Sequence, residues 1–408
     1  MCNEHPPPPA TLPRSFGRRG LDLLARDRKP GWVALCAALV ACAAATLGAP
    51  ASAAAAPLWG VVPQDGELPA SADLELMAGG GVKSIRLMAT WGEVEPWRGA
   101  RDWEALDELV RETTSRGIQP LLFLYGTPQW VGAEEGLNCA QVGCSATPPS
   151  QRPTIAAFAE FARAAVRRYG PGGEFWQPPA DPALGTQAPC RCTVASPIRV
   201  WQIWNEQNSP KYFKPKVRVG RYAKLVKAAG RAIKSADPGA EVMLGGMWGP
   251  QSLKQGKNKP AVMTYVDYMK RLYRVRGIKR FFDSLAIHPY SANIRGLMVQ
   301  LRQVRELARA HRDRRIGLWI TELGWASGGP PHEPYVKGLS GQAEMLGKAY
   351  SLLEQKSAAL GLRGVFWYSW RDQPESRFLC DWCAHSGLRN PDGSAKPAWQ
   401  TFVEIASG

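Results

Sequence analysis

Two glutamates stand at the ends of short apolar runs. One run reads Val200-Trp201-Gln202-Ile203-Trp204-Asn205-Glu206-Gln207-Asn208 and the other Leu318-Trp319-Ile320-Thr321-Glu322-Leu323-Gly324-Trp325. In each, a stretch of strand length stops in polar groups set among tryptophans, so a rigid element carries a carboxyl at its tip. Two carboxyls held together can divide the labour of cleaving a glycosidic bond. One, protonated, gives its proton to the leaving oxygen. The other attacks the anomeric carbon, and both act on an oxocarbenium-like transition state. The retaining version of this chemistry needs the pair about 5 to 5.5 Å apart. A lone glutamate at a strand end is ordinarily a cap or the partner of a basic residue; two at matched strand ends point to a site.

The rest of the chain supplies the elements that would bring them together. Strand-like runs alternate with amphipathic helical stretches eight times: Leu58 to Val62, Val82 to Met88, Ile118 to Tyr125, Ile198 to Trp204, Glu241 to Gly245, Ser284 to His288, Ile316 to Thr321 and Gly364 to Tyr368. They are apolar on both alternations, as parallel strands buried on both faces must be. Between them the helical period is clean in places: Val219, Tyr222, Val226, Ala229 and Ile233 make one apolar face, and Pro238-Gly239 ends that helix. This pattern predicts an α/β fold, a single (β/α)8 TIM barrel. Glu206 and Glu322 are 116 residues apart, three βα units, so both face the C-terminal mouth where barrel enzymes build their sites. The barrel would occupy residues 57–408, with long loop insertions at Val131 to Arg152 and Pro171 to Pro197. Tryptophans just beyond strands, namely Trp91, Trp130, Trp248, Trp325 and Trp370, offer flat faces to sugar C–H groups.

Trp204-Asn205-Glu206 and Thr321-Glu322-Leu323-Gly324-Trp325 resemble the fourth- and seventh-strand motifs of glycoside hydrolase clan A, a set of retaining barrel enzymes. The chain is most similar to family 39, which includes β-xylosidases, α-L-iduronidases and bacterial exopolysaccharide hydrolases. Gly126-Thr127-Pro128-Gln129-Trp130 and the ending Gly387-Leu388-Arg389-Asn390-Pro391-Asp392-Gly393 support it; family 5 shares the two strand motifs. The resemblance implies Glu206 as acid/base and Glu322 as nucleophile. It implies that Asn205 bonds the sugar 2-hydroxyl and that Arg86 keeps the nucleophile ionised. His288 and Tyr290 would position Glu322 and substrate, and Trp367 would form the floor under the sugar. Trp130 and Trp325 join these as expected substrate contacts.

The first 56 residues differ in kind: basic residues ending at Lys29, then an apolar stretch from Gly31 to Ala49. That is an export leader. Ala51-Ser52-Ala53 offers a cleavage site, Leu39-Val40-Ala41-Cys42 resembles a lipobox, and the stretch is also long enough for a membrane tether. All three place the barrel outside the cytoplasm or on the cell envelope. Removing the leader leaves six of nine cysteines, an even number that suits disulfides. Cys190 and Cys192 are too close in sequence to bridge each other without strain, which favours a crossing to Cys139 and Cys144. The second insertion, however, precedes a strand, at the face opposite the first, so the connectivity stays open. Cys380 and Cys383 can close on themselves. Zinc at Cys380, Cys383 and His385 would be one half-site without a second, so no metal is expected.

Of the net charge of +16, +13 falls on residues 57–408, which a solvated, soluble surface explains and which would also suit an anionic partner: an acidic polysaccharide, a teichoic-type polymer or lipid head groups. The basic residues form no nucleic-acid-binding motif, and no nucleic-acid partner is expected. Gly-x-Ser-x-Gly, phosphate-loop and paired-histidine patterns are missing, so the expected substrate is a poly- or oligosaccharide and no cofactor is needed. The sequence carries no signal for oligomeric state.

Overall fold

The computed structural model describes residues 56–63, 68–177, 195–249, 262–374 and 380–407. Eight parallel strands close on themselves in chain order, β1 pairing with both β2 and β8. They are β1 Leu58–Val62, β2 Ser84–Thr90, β3 Gln119–Tyr125, β4 Val200–Ile203, β5 Glu241–Trp248, β6 Ser284–His288, β7 Gly317–Leu323 and β8 Leu362–Tyr368. Each is followed by a main helix: α1 Ser71–Gly79, α2 Glu104–Thr114, α3 Arg152–Tyr169, α4 Val219–Ala236, α5 Tyr265–Tyr273, α6 Ile294–Ala310, α7 Gly338–Leu360 and α8 Pro397–Ala406. This is the (β/α)8 barrel expected from the alternation. Closure leaves no strand edge unpaired.

The double apolar alternation has a physical purpose, because each strand packs on two cores. Val62, Leu121, Met243, Ala286, Trp319 and Phe366 form one cluster inside the barrel. The residues between them in sequence, among them Val61, Leu122, Val242, Leu318 and Trp367, pack outward against the helices. α4 buries the predicted face: Val219, Tyr222, Val226, Ala229 and Ile233 are all in the outer core, and its Tyr222 hydroxyl donates to the Ile203 carbonyl of β4. The Val and Ile side chains among them each contribute roughly 1.5–3 kcal/mol by leaving water.

At six of the eight strands the limits differ from those expected by one to three residues. β2 begins at Ser84: the Val82 amide turns back to the Met77 carbonyl of α1, and Lys83 leads into the strand with its amide on the Trp59 carbonyl of β1. β5 runs three residues past Gly245 to Trp248, with a register shift between Met243 and Gly246 that re-aims its end.

The cysteine pairing favoured for the two insertions is corrected. Cys139 and Cys144 bond to each other, with S–S 2.05 Å and Cα atoms 4.9 Å apart, inside the loop after β3. A short helix, Cys139–Val142, turns the chain enough for two residues this close in sequence to meet. Neither sulfur is then available to Cys190 or Cys192, which lie outside the described residues. Cys380 and Cys383 pair with each other as expected. The leader, its cleavage site and its apolar stretch also lie outside the described residues, among which no helix is long and apolar enough to cross a membrane.

Candidate active site

At the C-terminal mouth the backbone after β4 makes an abrupt turn. Trp204 (φ 71°) and Glu206 (φ 39°) both take the left-handed region, unusual for residues with side chains. The turn is held from several sides. The Glu206 amide donates to the Gly246 carbonyl at 3.0 Å, the Ser209 amide to the Glu206 carbonyl at 2.8 Å, and the buried Trp204 indole to the Tyr212 carbonyl at 2.7 Å. Strain at this point is maintained because it swings the Glu206 carboxyl into the mouth.

Four of the expected residues converge with the two glutamates. Arg86 projects into the barrel from β2, almost fully buried, and its guanidinium is completely engaged. NH1 pairs with Glu322 Oε1 at 2.8 Å, NH2 donates to Asn205 Oδ1 at 2.9 Å, and Nε to Gln202 Oε1 at 2.8 Å. The Tyr290 hydroxyl donates to the other oxygen of Glu322 at 2.9 Å. His288 Nδ1 lies 2.9 Å from Glu206 Oε1 and 3.3 Å from Glu322 Oε2, while Nε2 is 3.0 Å from the Thr321 hydroxyl. One oxygen of Glu206, one of Glu322 and a His288 nitrogen lie within 4.8 Å of one another. That is the short carboxylate spacing of retaining chemistry, well below the roughly 6.5–9.5 Å that leaves room for an inverting water.

The electrostatics differentiate the two carboxyls. Burial and the neighbouring Glu322 charge push Glu206 well above the usual carboxylate range, against the weaker pull of Lys211 and Arg86. Burial also raises Glu322, but there Arg86 and the Tyr290 hydroxyl oppose the rise directly. Of the two, Glu322 gives up its proton first and Glu206 keeps its own. Burial and the Arg86 charge push His288 well below its ordinary value, so the imidazole is neutral.

Glu206, His288 and Glu322 form the one group of potential metal ligands among the described residues. Arg86 already supplies the positive charge there and Tyr290 fills an oxygen of Glu322, so a metal ion would have to displace both.

A cavity of about 270 Å³ opens over the two glutamates, at the small end for a ligand site. Its aromatic wall comprises Tyr212, Trp248, Tyr290, Tyr335, Tyr368 and Trp382. Trp382 packs edge-on to Tyr290, ring centroids 5.1 Å apart, and against Tyr335 at 4.8 Å. It is carried by the turn that the Cys380–Cys383 disulfide closes, and both cysteines line the cavity.

Three expected substrate contacts sit elsewhere. Trp367 faces outward from β8, fully buried against Trp325 and Tyr350, with its indole on the Ser386 carbonyl. The next residue, Tyr368, is the one turned to the cavity. Trp325 is likewise fully buried, its indole donating to the Ser291 carbonyl. Trp130 packs on Trp91 beneath the Arg98 guanidinium and donates to the Glu95 carbonyl, outside the cavity lining. The sequence analysis missed Lys211, Tyr212, Tyr335, Tyr368 and Trp382. Trp382, between two cysteines spaced to bond, carried the one usable signal.

No protein-family model matches the chain, and no curated protein matches it. Solved structures do. A family 39 glycoside hydrolase from Bacteroides cellulosilyticus superposes with TM-score 0.57 at 21% identity, covering 86% of this chain and 64% of that one. This chain therefore spans less than two thirds of that enzyme. The likeness shows the (β/α)8 barrel fold, shared with that glycoside hydrolase. A family 39 enzyme from Xanthomonas axonopodis pv. citri gives TM-score 0.56 at 18% identity, with 87% and 68% covered. An intracellular xylanase from Thermoanaerobacterium saccharolyticum gives 0.56 at 11%, with 85% and 95% covered. At these identities the likeness speaks for the barrel, and the chemistry has to be argued from the site.

Proposed function

We propose that this chain is a retaining O-glycosidase acting on a poly- or oligosaccharide, with Glu206 as acid/base and Glu322 as nucleophile. The observation that carries the reading is the pair itself: carboxylate oxygens no more than 4.8 Å apart, in environments that hold their protons unequally. In the first step Glu206 protonates the departing glycosidic oxygen while a Glu322 oxygen bonds to the anomeric carbon. In the second, Glu206 takes a proton from water, whose oxygen replaces Glu322 at that carbon.

The supporting residues have definite work in this scheme. Arg86 can only donate hydrogen bonds, so Asn205 must turn its oxygen to Arg86 and keep its amide NH2 for a sugar hydroxyl. Tyr290 fixes the Glu322 oxygen it touches, leaving the other aimed by Arg86. The aromatic wall supplies stacking faces for the ring. Similar solved structures include a xylanase variant with xylotriose and a family 5 enzyme with a Man-GlcNAc disaccharide, and both favour a saccharide over other ligands. The leader-like residues 1–56 and the disulfides support action outside the cytoplasm, with residues 57–408 as the catalytic unit.

Removal of the nucleophile's carboxylate tests the assignment. Glu322→Ala is expected to lose hydrolysis of activated aryl glycosides and to regain turnover with azide, giving a glycosyl azide of inverted configuration. Full activity in Glu322→Ala without azide would discard the assignment.

A further inference from the structure

We infer that Lys211 selects for a glycan bearing an acidic substituent, a carboxylate or a sulfate ester, on a sugar beside the scissile bond. The inference rests on the glycosidase reading above and names the substrate class of the same site.

Lys211 lies five residues after Glu206 and lines the same cavity. Its backbone is fixed: the Lys211 amide donates to the Ser209 hydroxyl, and Ser209 is itself bonded through its amide to the Glu206 carbonyl. The loop therefore holds the lysine at a set distance from the acid/base. Its ammonium lies over the Tyr212 ring, Nζ 4.9 Å from the centroid, and the side chain is solvent-exposed. The ammonium is close enough for its field to act on both Glu206 and Glu322.

What it lacks is a counter-charge. Among the described residues Lys211 makes no ion pair, whereas Arg86, the other cation at the site, has all three of its nitrogens committed. Among the described residues Lys211 is also the one cationic side chain lining the cavity. The two acids among those lining residues are the catalytic pair, and neither lies within ion-pair distance of it. A structural lysine would cover apolar surface or bind an acid, yet this one presents its charge to the space the substrate must enter. A neutral sugar would leave that charge with only the Tyr212 ring and water, and would gain nothing from its pull on Glu206, which works against keeping the acid protonated. An anionic group on the substrate reverses both effects. It meets the ammonium in a charge-assisted hydrogen bond and cancels the field that draws the Glu206 proton away.

The test uses matched polymers. Hydrolysis of glucuronan, polygalacturonate, alginate and hyaluronan is compared with that of the same polymers after chemical reduction of their carboxyls. A sulfated galactan is compared with its desulfated form, so the two arms separate carboxylate from sulfate. The expected result is that the enzyme prefers one acidic member by about tenfold or more in kcat/KM, the size of one charge-assisted bond. Lys211→Met should lose that preference, Lys211→Arg keep it, and Lys356→Met, which removes an equal charge from α7, leave it intact. Equal rates on the matched pairs, or a preference that survives in Lys211→Met, would overturn the inference while leaving the glycosidase reading standing. If no polymer is cut, the glycosidase reading is what fails, and Lys211 is judged by binding. Retardation of Glu206→Gln in gels containing acidic polymer, weakened by Lys211→Met and not by Lys356→Met, supports it; equal weakening by both refutes it.

Discussion

Arg86→Met is the sharpest perturbation of the site short of removing a glutamate. The guanidinium and the Glu322 carboxylate meet at 2.8 Å with both side chains largely buried. With charge centres about 4 Å apart and an effective dielectric near 20, their attraction is about 4 kcal/mol. That is the order of the preference for an ionised nucleophile that the substitution removes. Methionine fills much of the same space, so the barrel should persist, but Glu322 is left buried without its cation and recovers by holding its proton. At neutral pH the ionised fraction falls, and kcat/KM on an aryl glycoside is expected to drop by roughly 10²- to 10³-fold. The sign of the pH effect follows. Arg86 is the first of the groups that hold the Glu322 value down, so without it that value rises further. The acidic limb of the kcat/KM profile moves to higher pH, and part of the loss is recovered in alkali. A loss equal at every pH, with the limb unmoved and the far-ultraviolet circular dichroism unchanged, would refute the reasoning and make Arg86 a substrate ligand.

Other expectations follow from neighbouring contacts. A Cβ at Gly246 would lie 2.0 Å from His288 Nε2, so Gly246→Ala must displace the imidazole that touches both glutamates. It should cost at least tenfold in kcat with a folded barrel, and unchanged kcat would show that His288 tolerates movement. Glu206→Gln removes a buried acid whose folded-state value lies above its unfolded one. The wild-type protein holds that group's contribution to stability below the unfolded value and loses it as pH rises through the folded one. The variant does not, so the wild-type melting temperature should fall relative to that of Glu206→Gln as pH rises from the ordinary carboxylate range, about pH 4, upward. Parallel curves would contradict the burial argument.

Much of the barrel was legible because its strands are short, apolar on both faces and regularly spaced; even β6 was read to its limits. The polar constellation was legible for a related reason. Arg86, Glu206, His288 and Glu322 are polar residues interrupting apolar runs, and a polar residue at such a place needs a partner, which each of these finds in the others. The aromatic contacts were not legible. In β8 both alternations are apolar, so nothing in Val365-Phe366-Trp367-Tyr368 says which faces the interior, and a one-residue choice exchanges Trp367 for Tyr368. Tyr335 and Trp382 reach the cavity from loops whose path depends on tertiary contacts and on the Cys380–Cys383 bond. Lys211 reads in sequence as an ordinary surface lysine, and the tight loop that brings it to the same cavity as Glu206 is visible only through the Ser209 hydrogen bonds. The favoured bridges from Cys190 and Cys192 failed because a short helix lets Cys139 reach Cys144 on its own.

The central claim is that Glu322 forms a covalent bond to the sugar. Incubation with a panel of 2-deoxy-2-fluoro glycosides carrying a dinitrophenyl leaving group, followed by intact mass and peptide mapping, tests it most directly. The account predicts a gain of one fluoroglycosyl mass, located on the peptide at Glu322 and absent from Glu322→Ala. Labelling of a different residue, or steady turnover of the parent glycoside with no trapped adduct from its fluoro analogue, would contradict it.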